Sequence, residues 1–214
     1  MVTIYQKQSL FYYGCQYGLL DNIIIILREP NSHITNNLNI NLGFRYACVS
    51  NKLTTAIYLF NYAEKYNIEI DISYQYEYII RKVIEQNYYN VAEWILSNFK
   101  NINVSVLGDN CLFIAYKNNN LKIIQLLLEY NPELNLYCYD NLLFRLSYIN
   151  GKYEIMRFLL KKHPSLATFF KNNFKNDYRL IVFIQRTWLE TYMSPYTKLG
   201  KNRLEKQYNQ LISN

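Results

Sequence analysis

The chain has 214 residues, half of them hydrophobic and 18% charged. That balance excludes a disordered chain and leaves enough apolar material for one elongated unit or two small domains. Four Pro and six Gly are few for this length; an all-β sandwich needs many tight turns, so helices joined by short polar loops are expected. The net charge of +7 is uneven: residues 1–160 hold thirteen basic and thirteen acidic residues, and residues 161–214 hold ten and three. The whole surplus lies in the last quarter of the chain.

From the N-terminus, Met1 to Leu10 has no apolar run leading to a small-residue cleavage site, so no secretory leader is expected. The longest apolar run, Ile23 to Leu27, is too short to span a bilayer. A pattern then recurs: an apolar residue, a small residue three positions later, polar residues, a turn residue, and an amphipathic stretch ending in an apolar pair. The turn residues are Gly18, Asn51, Asn87, Asn119 and Gly151, spaced by 33, 36, 32 and 32. Seven positions earlier stand Phe11, Phe44, Ile80, Leu112 and Phe144. Four earlier stand Gly14, Ala47, Val83, Ala115 and Ser147, mostly small. Eight and nine positions later stand Ile26-Leu27, Leu59-Phe60, Ile95-Leu96, Leu127-Leu128 and Leu159-Leu160.

These columns predict a short first helix that packs closely at its small residue. Gly or Asn follows at the C-terminus, where both tolerate the left-handed conformation. The second helix is apolar at helical spacing, as at Leu121, Ile124, Leu127 and Leu128. One such pair cannot bury its own face, but stacked pairs share a continuous core. The second copy carries extra residues near Tyr62 to Asn67, expected in its loop. The third is weakest, with Val83 at the small position.

Asn119-Asn-Leu-Lys-Ile-Ile-Gln-Leu-Leu-Leu128 and Gly151-Lys-Tyr-Glu-Ile-Met-Arg-Phe-Leu-Leu160 resemble the Gly-His-Leu-Glu-Ile-Val-Lys-Leu-Leu-Leu segment of the ankyrin repeat, a unit of about 33 residues. The resemblance covers roughly residues 9–167. It departs in lacking the Thr-Pro-Leu-His start, and in placing Asn131-Pro132 and His163-Pro164 where the family has loop Gly-Ala. Repeats this degenerate and rich in Asn and Tyr are also similar to ankyrin proteins of giant DNA viruses. The implied fold is all-α: an ankyrin-type helix-turn-helix solenoid of about five repeats over residues 1–167, with an atypical C-terminal capping helix. The cap is expected within residues 168–194, because Asp177 to Met193 places Leu180, Phe183, Ile184, Trp188 and Leu189 at helical spacing without fitting the columns. Ser194-Pro195 ends that helix, and residues 195–214 form a basic tail.

Chemistry-bearing groups are scattered. Cys15, Cys48, Cys111 and Cys138 make no Cys-x-x-Cys pair, and the two histidines, His33 and His163, fall in predicted loops. No metal site, cofactor or catalytic set is expected from that spacing. No Gly-rich phosphate loop is present. Carboxylates such as Glu64 and Glu69 read as solvated groups at helix ends. Scattered thiols in a long chain fit a reducing compartment, so an intracellular, cytoplasmic location is expected, that of a host if the chain is viral.

In the ankyrin family, partners dock on the concave face formed by turn tips and the exposed side of each first helix. The resemblance assigns that face to Tyr13, Gln16 and Tyr17 in the first copy, Tyr46 and Val49 in the second, and Lys82 and Glu85 in the third. Ile114 and Lys117 follow in the fourth, then Leu146 and Ile149 in the fifth. Tyr74, Tyr76, Tyr139 and Asp140 are the turn-tip candidates. Many of the 23 Tyr instead have an inter-repeat packing role open to them. The function implied is non-catalytic binding of a protein, a host factor if the chain is viral. Two alternatives stay open. Lys198, Lys201, Arg203 and Lys206, interleaved with aromatics, suit nucleic acid or an anionic surface. Apolar helix faces also suit docking between copies of the chain, whose oligomeric state the sequence leaves undetermined.

Overall fold

A computed structural model describes residues 4–28, 38–134, 138–167, 183, 186 and 187, with the backbone alone at residues 4, 76, 106–110 and 138–142. The described residues are helical, without strands. They belong to two compact units, residues 1–134 and 135–214. The first holds four helix pairs: α1 (Ile4–Tyr17) with α2 (Leu20–Arg28), α3 (Ile40–Val49) with α4 (Leu53–Lys65), α5 (Tyr74–Glu85) with α6 (Tyr89–Asn98), and α7 (Val106–Lys117) with α8 (Leu121–Tyr130). The second holds α9 (Cys138–Ile149) and α10 (Tyr153–Lys162).

Every expected turn residue adopts the left-handed conformation: φ is +77° at Gly18, +60° at Asn51, +61° at Asn87, +56° at Asn119 and +64° at Gly151. Glycine reaches this region without steric cost, and Asn is the side chain that best tolerates it. Each turn closes on the small column. The amide after the turn residue donates to the carbonyl of Gly14, Ala47, Val83, Ala115 or Ser147, at 2.7–3.0 Å. In the last four pairs the turn residue's own amide donates to the next carbonyl along, completing a Schellman motif. The following helix starts at once, because the residue after the turn is already its N-cap; Asn120 also accepts a bond from the Ile123 amide at 3.0 Å.

The core follows the same register. Phe11, Phe44, Ile80, Leu112 and Phe144 are buried, as are all five small-column residues. Val83 is tolerated there: it is fully buried, and its carbonyl takes the same turn bond as its smaller counterparts. Ser147 satisfies its hydroxyl by donating to the Leu143 carbonyl at 2.6 Å. Within the first unit, α1 packs on α3, α3 on α5, and α5 on α7. Between the second and third pairs sit four rings. Phe60 lies 5.3 Å from Trp94 and 5.4 Å from Phe99, and Phe44 lies 6.2 Å from each.

The residues near Tyr62 to Asn67 do not enlarge a loop. They lengthen α4 by a turn, because Ala63 continues the buried i, i+4 row from Leu59. That extra turn ends in its own left-handed Asn67, with the Ile68 amide donating to Ala63. After the second helix of each of the last three pairs the chain drops an apolar residue into the core: Ile102 and Leu134 in the first unit, Leu166 in the second. Of the segment expected to cap the array, residues 168–194, Phe183, Arg186 and Thr187 are described. Phe183 stacks on Tyr153 at 5.4 Å and lies 5.8 Å beneath the Arg157 guanidinium. The basic tail, with Lys198, Lys201, Arg203 and Lys206, lies outside the described residues.

Candidate interaction surface on the first helices

Each first helix buries the columns four and seven positions before its turn, which leaves the columns five and two positions before it toward solvent. Tyr13 and Tyr17 are 52% and 53% exposed, and Tyr46 is 37% exposed. Gln16, Glu85 and Lys117 are exposed; Val49, Lys82 and Ile114 are half-buried. In the second unit Ile149 is exposed and Leu146 half-buried.

The row is aromatic at its start. The rings of Tyr13 and Tyr17, one turn apart on α1, have centroids 4.3 Å apart. Tyr12 meets Tyr46 edge-on at 5.9 Å, tying α1 to α3. The Arg45 guanidinium lies 3.8 Å above the Tyr74 ring, tying α3 to α5. Charge enters at the third pair, where the Lys82 ammonium and Glu85 carboxylate pair at 2.6 Å. This pair is solvent-exposed, so it neutralises the row locally while contributing little to stability.

Two expectations about position change. Tyr74 and Tyr76 stand in the first turn of α5, and Tyr139 and Asp140 in the first turn of α9, not at turn tips. The chain enters α5 directly from the buried Ile72, through Ser73, so no projecting hairpin carries Tyr74 and Tyr76. The side chains of Tyr76, Tyr139 and Asp140 lie outside the described residues. The column six positions before the turn also escaped the sequence reading, although it holds Arg45, Arg81 and Arg145 at one register. Arg45 carries the cation–π contact, and Arg81 donates to the Gln75 carbonyl at 3.0 Å.

Several tyrosines are struts instead of binding groups. The Tyr130 hydroxyl accepts from the Ile102 amide at 3.0 Å and donates to the Phe99 carbonyl at 2.9 Å. The Tyr12 hydroxyl accepts from the Asn39 amide at 3.1 Å. Asparagines do the same work along the turns. Asn118 donates to the Glu85 carbonyl at 2.9 Å, and Asn120 to the Asn87 side chain at 3.2 Å, each joining the fourth pair to the third.

Reactive groups are held neutral or apart. Cys15, Cys48 and Cys111 are buried. Burial pushes the Cys15 thiol up to about 12 and raises that of Cys48 as well. At neutral pH both are therefore protonated and non-nucleophilic. His163 ends α10, its amide donating to the Leu159 carbonyl. Burial, then the Lys162 charge, lower its pKa from the ordinary histidine value. His33 and the Cys138 side chain lie outside the described residues. Among the described residues no helix is long and apolar enough to cross a membrane.

Helix pairs joined by a left-handed turn and stacked through a small-residue column define a helical repeat protein. The family model for ankyrin repeats matches residues 79–169, in three copies; the fold class is the ankyrin-type helix-pair repeat. Ankyrin repeats generally mediate protein–protein interaction. The match takes in the turns at Asn87, Asn119 and Gly151 but neither Gly18 nor Asn51. The first two pairs join the series through their geometry, since both turns adopt the same backbone and close on the same column. No curated protein matches the chain.

Proposed function

We propose that the chain is a non-catalytic protein-interaction module, working in the cytoplasm, whose partner docks on the first-helix row of the first unit. The supporting observation is the set of exposed tyrosines on successive first helices: Tyr13 beside Tyr17 on α1, Tyr46 on α3 and Tyr74 on α5. These are rigid, amphipathic side chains on helices locked by buried columns, the residue type that dominates interface energetics. The Asn- and Tyr-rich style of the repeats supports a viral chain that engages a host protein.

The test is capture from cell lysate by the immobilised full chain, compared with its Tyr13→Ala/Tyr46→Ala variant. Both residues are exposed, so the variant keeps its helical far-ultraviolet spectrum. The expected loss of partner affinity is at least roughly thirtyfold, corresponding to about 2 kcal/mol. Undiminished capture by the variant would reject this docking site.

A second reading, binding of nucleic acid through residues 161–214, is supported by their ten basic against three acidic residues. It requires affinity that falls steeply as salt rises; a flat salt dependence rules it out.

A further inference from the structure

Residues at one register of successive repeats stand in line across the stack. Five positions before the turn, that line holds Tyr13 on α1, Tyr46 on α3, Lys82 on α5 and Ile114 on α7. The helices pack in that order, α1 on α3, α3 on α5 and α5 on α7. Packed helix axes stand about 8–10 Å apart. The line is therefore a ladder, with one rung per helix repeating at about that interval.

The interval selects a ligand conformation. An extended strand presents same-face side chains every two residues, about 6.6–6.8 Å, which falls short of a rung. An α-helix laid across the ladder returns to one face every turn, about 5.4 Å, or two contacts for each rung. A polyproline II helix has three residues per turn and rises about 3.1 Å per residue, so every third residue meets the same face after about 9.3 Å. Of the three, it alone advances one turn per rung.

The chemistry of the rungs agrees. Tyr13 and Tyr17 are exposed on α1 with ring centroids 4.3 Å apart, and Tyr46 is exposed on the next rung. Aromatic faces pack on proline rings, and tyrosine hydroxyls donate to carbonyls, which a polyproline II helix leaves without internal partners. On α7 the exposed Phe113 stands beside Ile114.

Charge points to the same occupant. Tyr13, Gln16, Tyr17, Tyr46 and Val49 carry no charge. On α5 the Lys82 ammonium is neutralised by Glu85 at 2.6 Å, and the Arg45 guanidinium already covers the Tyr74 ring at 3.8 Å. Lys117, at the α7 end, is too little to select an acidic ligand. The ladder is complementary to an uncharged segment. We propose that the occupant of this surface is a proline-rich segment in the polyproline II conformation, laid across α1, α3, α5 and α7 with every third residue on a rung. This rests on the partner surface proposed above and names the chemistry of what docks there. Four rungs span three turns, so a segment of about ten residues covers the ladder.

The probe is a fluorescein-labelled decaproline peptide, titrated with the full chain and read by fluorescence anisotropy. It is expected to bind with a Kd below about 1 millimolar, and at least about tenfold more tightly than a Gly-Ser peptide of equal length, which loses more chain entropy on docking. Affinity should stay within about twofold between roughly 50 and 500 millimolar salt, since no ion pair forms. Tyr46→Ala should weaken binding at least about tenfold, and Tyr46→Phe, which keeps the ring, by less. Tyr46 is exposed, so an unchanged thermal melt shows that each variant is folded. Decaproline that binds no tighter than the Gly-Ser peptide, dissociates steeply with salt or ignores Tyr46→Ala overturns the proposal. If lysate capture still falls in the Tyr13→Ala/Tyr46→Ala chain, the docking surface stands and its proline-rich occupant is wrong. If capture is indifferent as well, the surface itself is wrong.

Discussion

Replacing Phe44 by alanine is expected to cost the chain about 3–5 kcal/mol, the range for truncating a fully buried phenylalanine. Phe44 is wholly inaccessible and touches both Trp94 and Phe99 of the next helix pair. The substitution therefore leaves a void where two repeats meet, and neighbouring side chains can close it only by shifting a helix. Domains of this kind retain about 5–15 kcal/mol in total, so the variant should lose a large share of its cooperative urea transition followed by circular dichroism. Gln16→Ala, on the exposed row, serves as the reference and should shift stability by less than about 0.5 kcal/mol. A Phe44→Ala loss below about 1 kcal/mol would mean that the four-ring cluster does not hold the second and third pairs together.

Gly43→Ala tests the small residues from the other direction. In a helix interior, alanine for glycine ordinarily gains up to about 1 kcal/mol, through reduced backbone entropy in the unfolded chain. Here the added Cβ would stand 2.8 and 2.9 Å from two atoms of the Phe11 ring, itself fully buried. A rigid, fully buried ring cannot yield as a flexible chain end would, so overpacking outweighs propensity. The expected net loss is about 1–3 kcal/mol. Combining the change with Phe11→Leu, which removes the clashing ring edge, should recover part of that loss. A stabilised Gly43→Ala chain would show that α1 and α3 are less closely apposed than their contact implies.

The turns were legible because their requirement is local. A left-handed residue after a short helix admits few side chains, so Gly18, Asn51, Asn87, Asn119 and Gly151 stand out in any register search. The buried columns were legible for a related reason, since one helical period brings Phe44 and Ala47 to the same face. Other features were hidden. The residues near Tyr62 to Asn67 read as loop because the column search stopped at Leu59-Phe60, yet Ala63 prolongs the same buried row. The loop residues Ile102, Leu134 and Leu166 recur at intervals of 32, but an isolated apolar residue in a polar stretch does not announce its burial. Tyr74 read as a turn tip, but α5 begins at that residue.

Amino-acid order by itself therefore determined the repeat unit: where each first helix ends, which residue crosses into the left-handed region, and which columns are apolar. Those properties depend on a residue and its neighbours within two turns. The tertiary structure decided exposure. Tyr12 and Tyr13 are adjacent and chemically identical, yet one hydroxyl braces the next repeat and the other ring faces solvent. Leu10 and Gly43 share a register, yet the leucine is exposed and the glycine buried. The physical reason is that burial belongs to the interface and not to the residue: it requires a neighbouring helix pair packed against that side chain.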